Sequence, residues 1–479
     1  MRDRYDLAMI RVLAASAFLV AFASPALAQT ANPRYELAWR TRSLERAWMA
    51  TTLEQHERVL PQVEAAVQRF FAMDMAGVAS ALDEARFALE GRATPWDLER
   101  FTVTPSARLI DAGTTQLQLS ISSLYTTEFA APITLRASFR GVALPLEPAR
   151  IEAPKPGERR EVQISLQGLA GASGDIALEL EIGHEGDLRS RRELTLALAP
   201  KLQERLSALR ASIAALPEAA PALERETLRA NVTLLESLAK ASSEETDFPG
   251  AALLADSETI VARAAKGERW FGIERAGEAW MTVPSGKNGA RVRVLVPEGL
   301  AAERKVPLVV ALHGAGGSEN MFFDAYGDGR IVELCRERGW MLVAPRVGFM
   351  GTPVSAVVTA LAERFPVDRE QVFLIGHSMG AGVGQQLVAK DPAAFRAFAA
   401  LGGGSGLKDA SGLASEPIFV GAGERDFGRR GAEALHKSLL GGGSGVAQLK
   451  IYPACEHLMI VVDALPDVFA WWDGLLAAK

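Results

Sequence analysis

The sequence predicts a multidomain chain. A C-terminal α/β unit, with a mostly parallel sheet and helices on both faces, follows helical segments that flank a β-sandwich. Three observations predict this. The apolar period is near 3.6 over residues 33–100, falls to 2 over 101–200 and returns to 3.6 over 201–267. From about residue 270, short continuous apolar runs alternate with helical stretches, as strands buried on both faces of a sheet require. The length of 479 residues, 48% of them apolar and 23% charged, suits about three domains with cores of their own.

Residues 1–28 read as an export signal. Arg2, Arg4 and Arg11 make a positive start, Val12 to Ala23 is dominated by apolar residues, Pro25 ends the run, and Ala26-Leu27-Ala28 offers a small-x-small cleavage pattern before Gln29. The run is shorter than the ~20 residues that span a bilayer, which sets cleavage against the alternative of a retained anchor. The expectation is a periplasmic or secreted protein with no stable membrane span after signal cleavage. Lys plus Arg number 52 against 58 Asp plus Glu, a net charge of -6 with no basic block, which excludes nucleic acid as an expected partner. The two cysteines, Cys335 and Cys455, exclude a disulfide-dense scaffold and a Cys-rich zinc module.

Residues 29–100 form the first helical region. Val59, Leu60, Val63, Val67, Phe70 and Phe71 recur at helix spacing, Leu82, Ala85 and Leu89 continue on a second helix, and Gly91 stops it. Trp39 and Trp48 are expected in its packing. Residues 101–200 alternate: Leu117, Leu119 and Ile121, then Ile133, Leu135, Ala137 and Phe139, then Val162, Ile164 and Leu166, then Ile176 to Ile182 and Leu194 to Leu198. Half-buried short strands separated by Pro- or Gly-containing turns predict a sandwich of immunoglobulin-like type, with a spacer or scaffold role. Residues 201–269 return to helix, with Leu202, Leu206, Leu209, Ile213 and Leu216 on one stripe and Leu228, Val232 and Leu235 on another, a region that would pack with 29–100. Asn231-Val232-Thr233 matches a glycosylation acceptor but stands within a helical stripe, so it reads as chance.

Over 270–479 the expected strands are Arg291–Val296, Leu308–Leu312, Met341–Ala344, Val372–Ile375, Ala397–Leu401, Ile418–Val420 and Leu449–Tyr452. Gly376-His377-Ser378-Met379-Gly380 is the one G-x-S-x-G pattern in the chain, and it stands between a buried strand and a helix. A reversal that short strains the serine backbone and projects its hydroxyl from the top of the sheet, near the positive end of the following helix. A serine needs a base, and His457, in the loop after the last strand, is preferred to the mid-helix His436. The acid expected to orient that imidazole is Asp426, after the strand Ile418–Val420, ahead of Glu424 and Asp463. The Gly-rich loop His313-Gly314-Ala315-Gly316-Gly317-Ser318 follows a central strand, so the N–H groups of Ala315 and Met379 are the expected oxyanion donors. A phosphate-binding loop is excluded there, because the Lys-Ser/Thr is missing and the spacing is wrong.

On these residues the segment from about 275 to 479 resembles bacterial secreted α/β-hydrolases of the esterase, phospholipase/carboxylesterase or polyhydroxybutyrate-depolymerase type. The resemblance implies hydrolysis of carboxylic esters through an acyl-enzyme, with no metal or organic cofactor. It says nothing of residues 29–270. Phe322, Tyr326 and Phe349, in loops expected to flank Ser378, are the candidate substrate-binding residues. Only a short stretch, 405–416, precedes the strand at Ile418, so no lid is expected, and an open cleft would suit bulky or polymeric esters. A peptidase with the same three residues, and a binding or scaffold protein with a vestigial hydrolase domain, are the alternatives. Cys335 is expected toward the opposite sheet edge from Cys455, so the two are not expected to pair.

Overall fold

The computed structural model describes residues 33–92, 96–126, 131–184, 188–240, 245–286, 289–348 and 353–478. The expected export signal and Phe349 lie outside them. The chain forms two compact units: residues 33–40, 65–202 and 237–251 make one, and residues 41–64, 203–236 and 252–478 make the other.

The first unit holds two β-sheets over one core. One runs in the order Phe101–Pro105, Gln116–Ser123, Arg159–Ser165, Leu146–Glu147. The other runs Leu109–Asp111, Leu188–Ala199, Gly174–His184, Ile133–Phe139, Val142–Leu144, with Arg150–Ile151 also paired to Ile133–Phe139. Alternation decides which side chains enter. Leu117, Leu119 and Ile121 point inward from one sheet and Ile176, Leu178, Leu180 and Ile182 from the other, and all are buried in the shared cluster. The pairing is antiparallel except between Leu188–Ala199 and Leu109–Asp111, which run parallel.

The second unit is built on an eight-stranded sheet: β1 (Gly277–Val283), β2 (Ala290–Val296), β3 (Val306–Leu312), β4 (Met341–Pro345), β5 (Val367–His377), β6 (Ala397–Leu401), β7 (Ile418–Gly423) and β8 (Gln448–Tyr452). The spatial order is β1-β2-β4-β3-β5-β6-β7-β8. β1 and β2 pair antiparallel, as do β2 and β4, and the remaining neighbours are parallel. Val309, Val310, Leu374, Ile375 and Ala399 are fully buried, which is why these strands read as unbroken apolar runs. β1 is absent from the expected strands: its exposure is mixed, so Glu278 and the half-buried Trp280 blur the alternation. The chain crosses from β4 back over β3 to β5, so the loops leaving β3 and β5 stand at the point where strand order reverses, where open α/β sheets hold their ligands.

Thr41–Glu64 and Gln203–Glu236 belong to this second unit. Glu224, fully buried on the helix Ala222–Leu238, accepts both Arg364 guanidinium nitrogens at 3.0 Å and the Trp270 N–H at 2.9 Å. Asn231 is buried and donates from Nδ2 to Ser257 Oγ at 3.1 Å, so its amide is engaged in packing. No described helix is long and apolar enough to cross a membrane.

Candidate active site

β5 ends at His377, and Ser378 takes φ 53° and ψ -112° before the helix Met379–Lys390 begins. A non-glycine residue rarely holds that backbone, and two contacts enforce it. A Cβ on Gly376 would stand 2.3 Å from the Gly380 carbonyl oxygen, and one on Gly380 would stand 2.0 Å from the Leu312 carbonyl oxygen at the end of β3. Both positions therefore require glycine. The Ser378 N–H donates to the Leu401 carbonyl at 2.9 Å, tying the turn to β6.

The loops after β7 and β8 are joined by their backbones. The Glu424 N–H donates to the Tyr452 carbonyl at 2.8 Å and the Arg425 N–H to the Cys455 carbonyl at 2.9 Å. This carries Asp426 and His457 to Ser378. His457 Nδ1 donates to Asp426 Oδ1 at 2.8 Å, and Ser378 Oγ donates to His457 Nε2 at 2.9 Å. Asp426 is buried, which by itself pushes its carboxyl up. The hydrogen bond and electrostatic attraction from the His457 ring, with the Gly428 N–H, outweigh burial and hold the carboxyl below its ordinary value. An ionised carboxylate can only accept, so the proton sits on Nδ1 and the Nε2 lone pair faces the hydroxyl. Glu424, by contrast, is exposed, and Asp463 accepts the Trp48 indole N–H at 3.1 Å.

Ala315 lies half-buried in the loop after β3, and Met379 is the first residue of its helix, where an N–H has no intrahelical carbonyl to meet. A Cβ on Gly314 would lie 3.4 Å from Ser378 Cβ, so the loop runs alongside Ser378. His313 holds that loop as a neutral ring. Its Nδ1 donates to the Gly314 carbonyl at 2.7 Å, and its Nε2 accepts the Val347 N–H at 2.8 Å.

The structure places Phe322 and Tyr326 away from the role of open pocket walls. Both are fully buried and packed edge to face at 4.6 Å: Phe322 lies on the inward side of the single helical turn Met321–Asp324, and Tyr326 follows in a turn with φ 54°. Tyr326 OH donates to His377 Nδ1 at 2.7 Å and accepts the Gly314 N–H at 3.3 Å.

Two neighbours of the site had no individual signal in the sequence. Phe427 is 58% exposed, with its ring centroid 4.1 Å from that of His457. Its place directly after Asp426 was the available hint. Gly402 has φ 59°, and a Cβ there would meet Asp426 Oδ2 at 3.0 Å and His457 Nδ1 at 3.2 Å. Among the described residues no cluster of three or more His, Cys, Asp or Glu could hold a metal ion. Cys335 and Cys455 are both buried and unpaired with each other.

No protein-family model matches the chain, and no curated protein matches it. Among solved structures it is similar to a ferulic acid esterase, at 14% identity over 42% of this chain and 99% of that one, TM-score 0.36. It is also similar to an S-formylglutathione hydrolase from Staphylococcus aureus, at 14% identity over 41% and 99%, TM-score 0.35. A thermostable esterase matches at 14% identity over 78% and 99%, TM-score 0.38. Likenesses this distant leave the chemistry to the chain's own side chains.

Proposed function

We propose that the chain is an exported serine hydrolase that cleaves carboxylic esters through an acyl-enzyme. The observation that carries this is the unbroken line from Asp426 Oδ1 through both nitrogens of His457 to Ser378 Oγ, with bonds of 2.8 and 2.9 Å. In this reading His457 Nε2 removes the Ser378 proton as Oγ attacks the ester carbonyl. The negative oxygen of the tetrahedral intermediate rests on the N–H groups of Ala315 and Met379. Collapse breaks the carbon–oxygen bond to the alcohol, which leaves with the proton held by His457. Water then repeats the sequence: it gives a proton to His457 as its oxygen attacks the acyl carbon, and collapse releases the acid while His457 returns that proton to Ser378 Oγ. Asp426 holds the ring and balances its transient positive charge. Phe427 supplies an exposed apolar face beside the base for part of the substrate. The N-terminal pattern of residues 1–28 supports export to the periplasm or beyond.

The test is covalent labelling with a fluorophosphonate, read by intact mass, on wild type and Ser378→Ala. One adduct per chain, lost in the variant, is expected. Folded wild type that takes no label would return the binding or scaffold alternative to the front. A screen of ester against amide substrates on the labelled enzyme separates esterase from peptidase.

A further inference from the structure

Tyr326, Gly327, Asp328 and Gly329 form a turn of four successive residues with positive φ, at 54°, 86°, 58° and 73°. Two of the four are not glycine, so the turn is strained and must be held from outside. A Cβ at Gly329 would stand 2.2 Å from the Phe323 carbonyl oxygen, which leaves the chain no room to relax there. The helix Pro33–Met49 holds it at two points: Arg46 reaches Asp328 Oδ1 at 3.2 Å in an exposed pair, and Glu45 holds it from the interior. Glu45 is fully buried, and its Oε2 accepts the Gly327 N–H at 3.1 Å. Burial pushes the Glu45 carboxyl up to about 7, and its other oxygen is buried without a hydrogen-bond partner among the described residues. A buried carboxyl with one oxygen unpartnered is costly, and core packing alone does not call for one.

The turn delivers the Tyr326 hydroxyl to a fixed point. A carbonyl can only accept, so the 3.0 Å contact between His377 Nε2 and the His457 carbonyl puts the His377 proton on Nε2. The Nδ1 lone pair then accepts the Tyr326 hydroxyl proton, while the hydroxyl oxygen accepts from Gly314 in the loop beside Ser378. Burial first, with His457 beside it, pushes His377 down to about 3, so the ring stays neutral and the polarity of the line is single-valued. His377 thus grips the backbone of the residue whose side chain is the base.

Resting on the proposed hydrolase reading, we infer that Glu45 is a positioning residue for the active site. By fixing the left-handed turn Tyr326–Gly329 it sets the Tyr326 hydroxyl, which aligns the oxyanion loop at Gly314 and, through His377, the backbone of His457. A segment far from Ser378 in sequence would therefore set the reactivity of the serine without touching substrate.

The test measures the second-order rate of fluorophosphonate labelling, normalised to folded protein, for wild type, Glu45→Ala, Glu45→Gln, Tyr326→Phe and the double variant Glu45→Ala/Tyr326→Phe. Misplacing a reacting group by a fraction of an ångström predicts labelling slower by about ten-fold in Glu45→Ala and in Tyr326→Phe. Glu45→Gln, which still accepts from Gly327, should label within about two-fold of wild type. The double variant should be no slower than Tyr326→Phe alone, because both changes cut one line. Folded Glu45→Ala that labels at the wild-type rate, or losses that multiply in the double variant, would overturn the inference. If Glu45→Ala does not fold, Glu45→Asp withdraws the same oxygen by one methylene and must slow labelling in its place. Amide hydrogen exchange provides a readout without chemistry. Faster exchange at Gly314 as well as Gly327 in the Glu45 variant supports the line, and unchanged exchange at Gly314 sinks it. A wild type that takes no label at all would instead remove the hydrolase reading, a distinct result.

Discussion

At the residue scale, the site depends on proton placement and on space. Asp426→Asn keeps the shape of the acid but offers an amide where the Nδ1 proton now points, favouring the wrong imidazole tautomer. The expected loss in kcat is on the order of 10³–10⁴ with the fold intact, read by steady-state kinetics beside a melting curve. A loss smaller than ten-fold would remove Asp426 from the acid's role. Gly402 is a test of space. Its φ of 59° already excludes most side chains, and the added methyl of Gly402→Ala would press on Asp426 Oδ2 and His457 Nδ1. Fluorophosphonate labelling should slow by at least about ten-fold even where the protein remains folded, since reacting groups must sit within tenths of an ångström. Wild-type labelling would mean that the acid–base pair can yield at no cost.

At the scale of elements, the loop after β8 carries both His457, the proposed base, and a buried acid beside it. Glu456 is 1% exposed, and burial pushes its carboxyl up to about 8, against the Leu458 N–H that it accepts at 2.7 Å. A raised folded-state value means that the unfolded chain loses this proton first, from its ordinary value of 4.5. The contribution of Glu456 therefore weakens the fold as pH climbs from about 4.5 to about 8 and is level above that. Glu456→Gln removes the titration and keeps an acceptor for Leu458. The expected result is a flatter decline of melting temperature between pH 5 and pH 8 than in wild type. Identical declines in the two proteins would show that Glu456 carries none of it.

At the scale of the molecule, the unit that holds the site is assembled from three stretches of chain, and its sheet accounts for one of them. Glu224 illustrates the dependence. It joins the helix Ala222–Leu238 to Arg364, beyond β4, and to the backbone at Trp270 ahead of β1. Glu224→Ala would leave the nearly buried Arg364 guanidinium without its counter-charge, a change that costs about 3–5 kcal/mol where a buried pair is broken from one side. Denaturant unfolding should show the loss, and Glu224→Ala/Arg364→Met should recover part of it. A single variant within 0.5 kcal/mol of wild type, the usual range for surface changes, would make the pair a surface contact in energetic terms.

The parts of this protein legible in sequence are those governed by local pattern. The change of period from 3.6 to 2 and back marks helices and half-buried strands because side-chain direction follows backbone geometry. Ser378, Asp426 and His457 stood out as candidates because each lies within a few residues of the C-terminal end of a strand, and parallel strands end on one edge of their sheet. Edge strand β1 escaped for the opposite reason: a half-covered strand has no clean pattern. The tertiary structure alone decided the surroundings. Phe322 and Tyr326 turned inward because a single helical turn and the left-handed turn after it folded back on the core, which neighbouring residues do not signal. Glu45, Gly402 and Phe427 gained their places from contacts across tens to hundreds of residues. Hydrogen bonds and close packing are short-ranged in space and indifferent to separation along the chain. Local sequence therefore determined which groups stand at the strand ends, and only the folded chain decided what holds them in register.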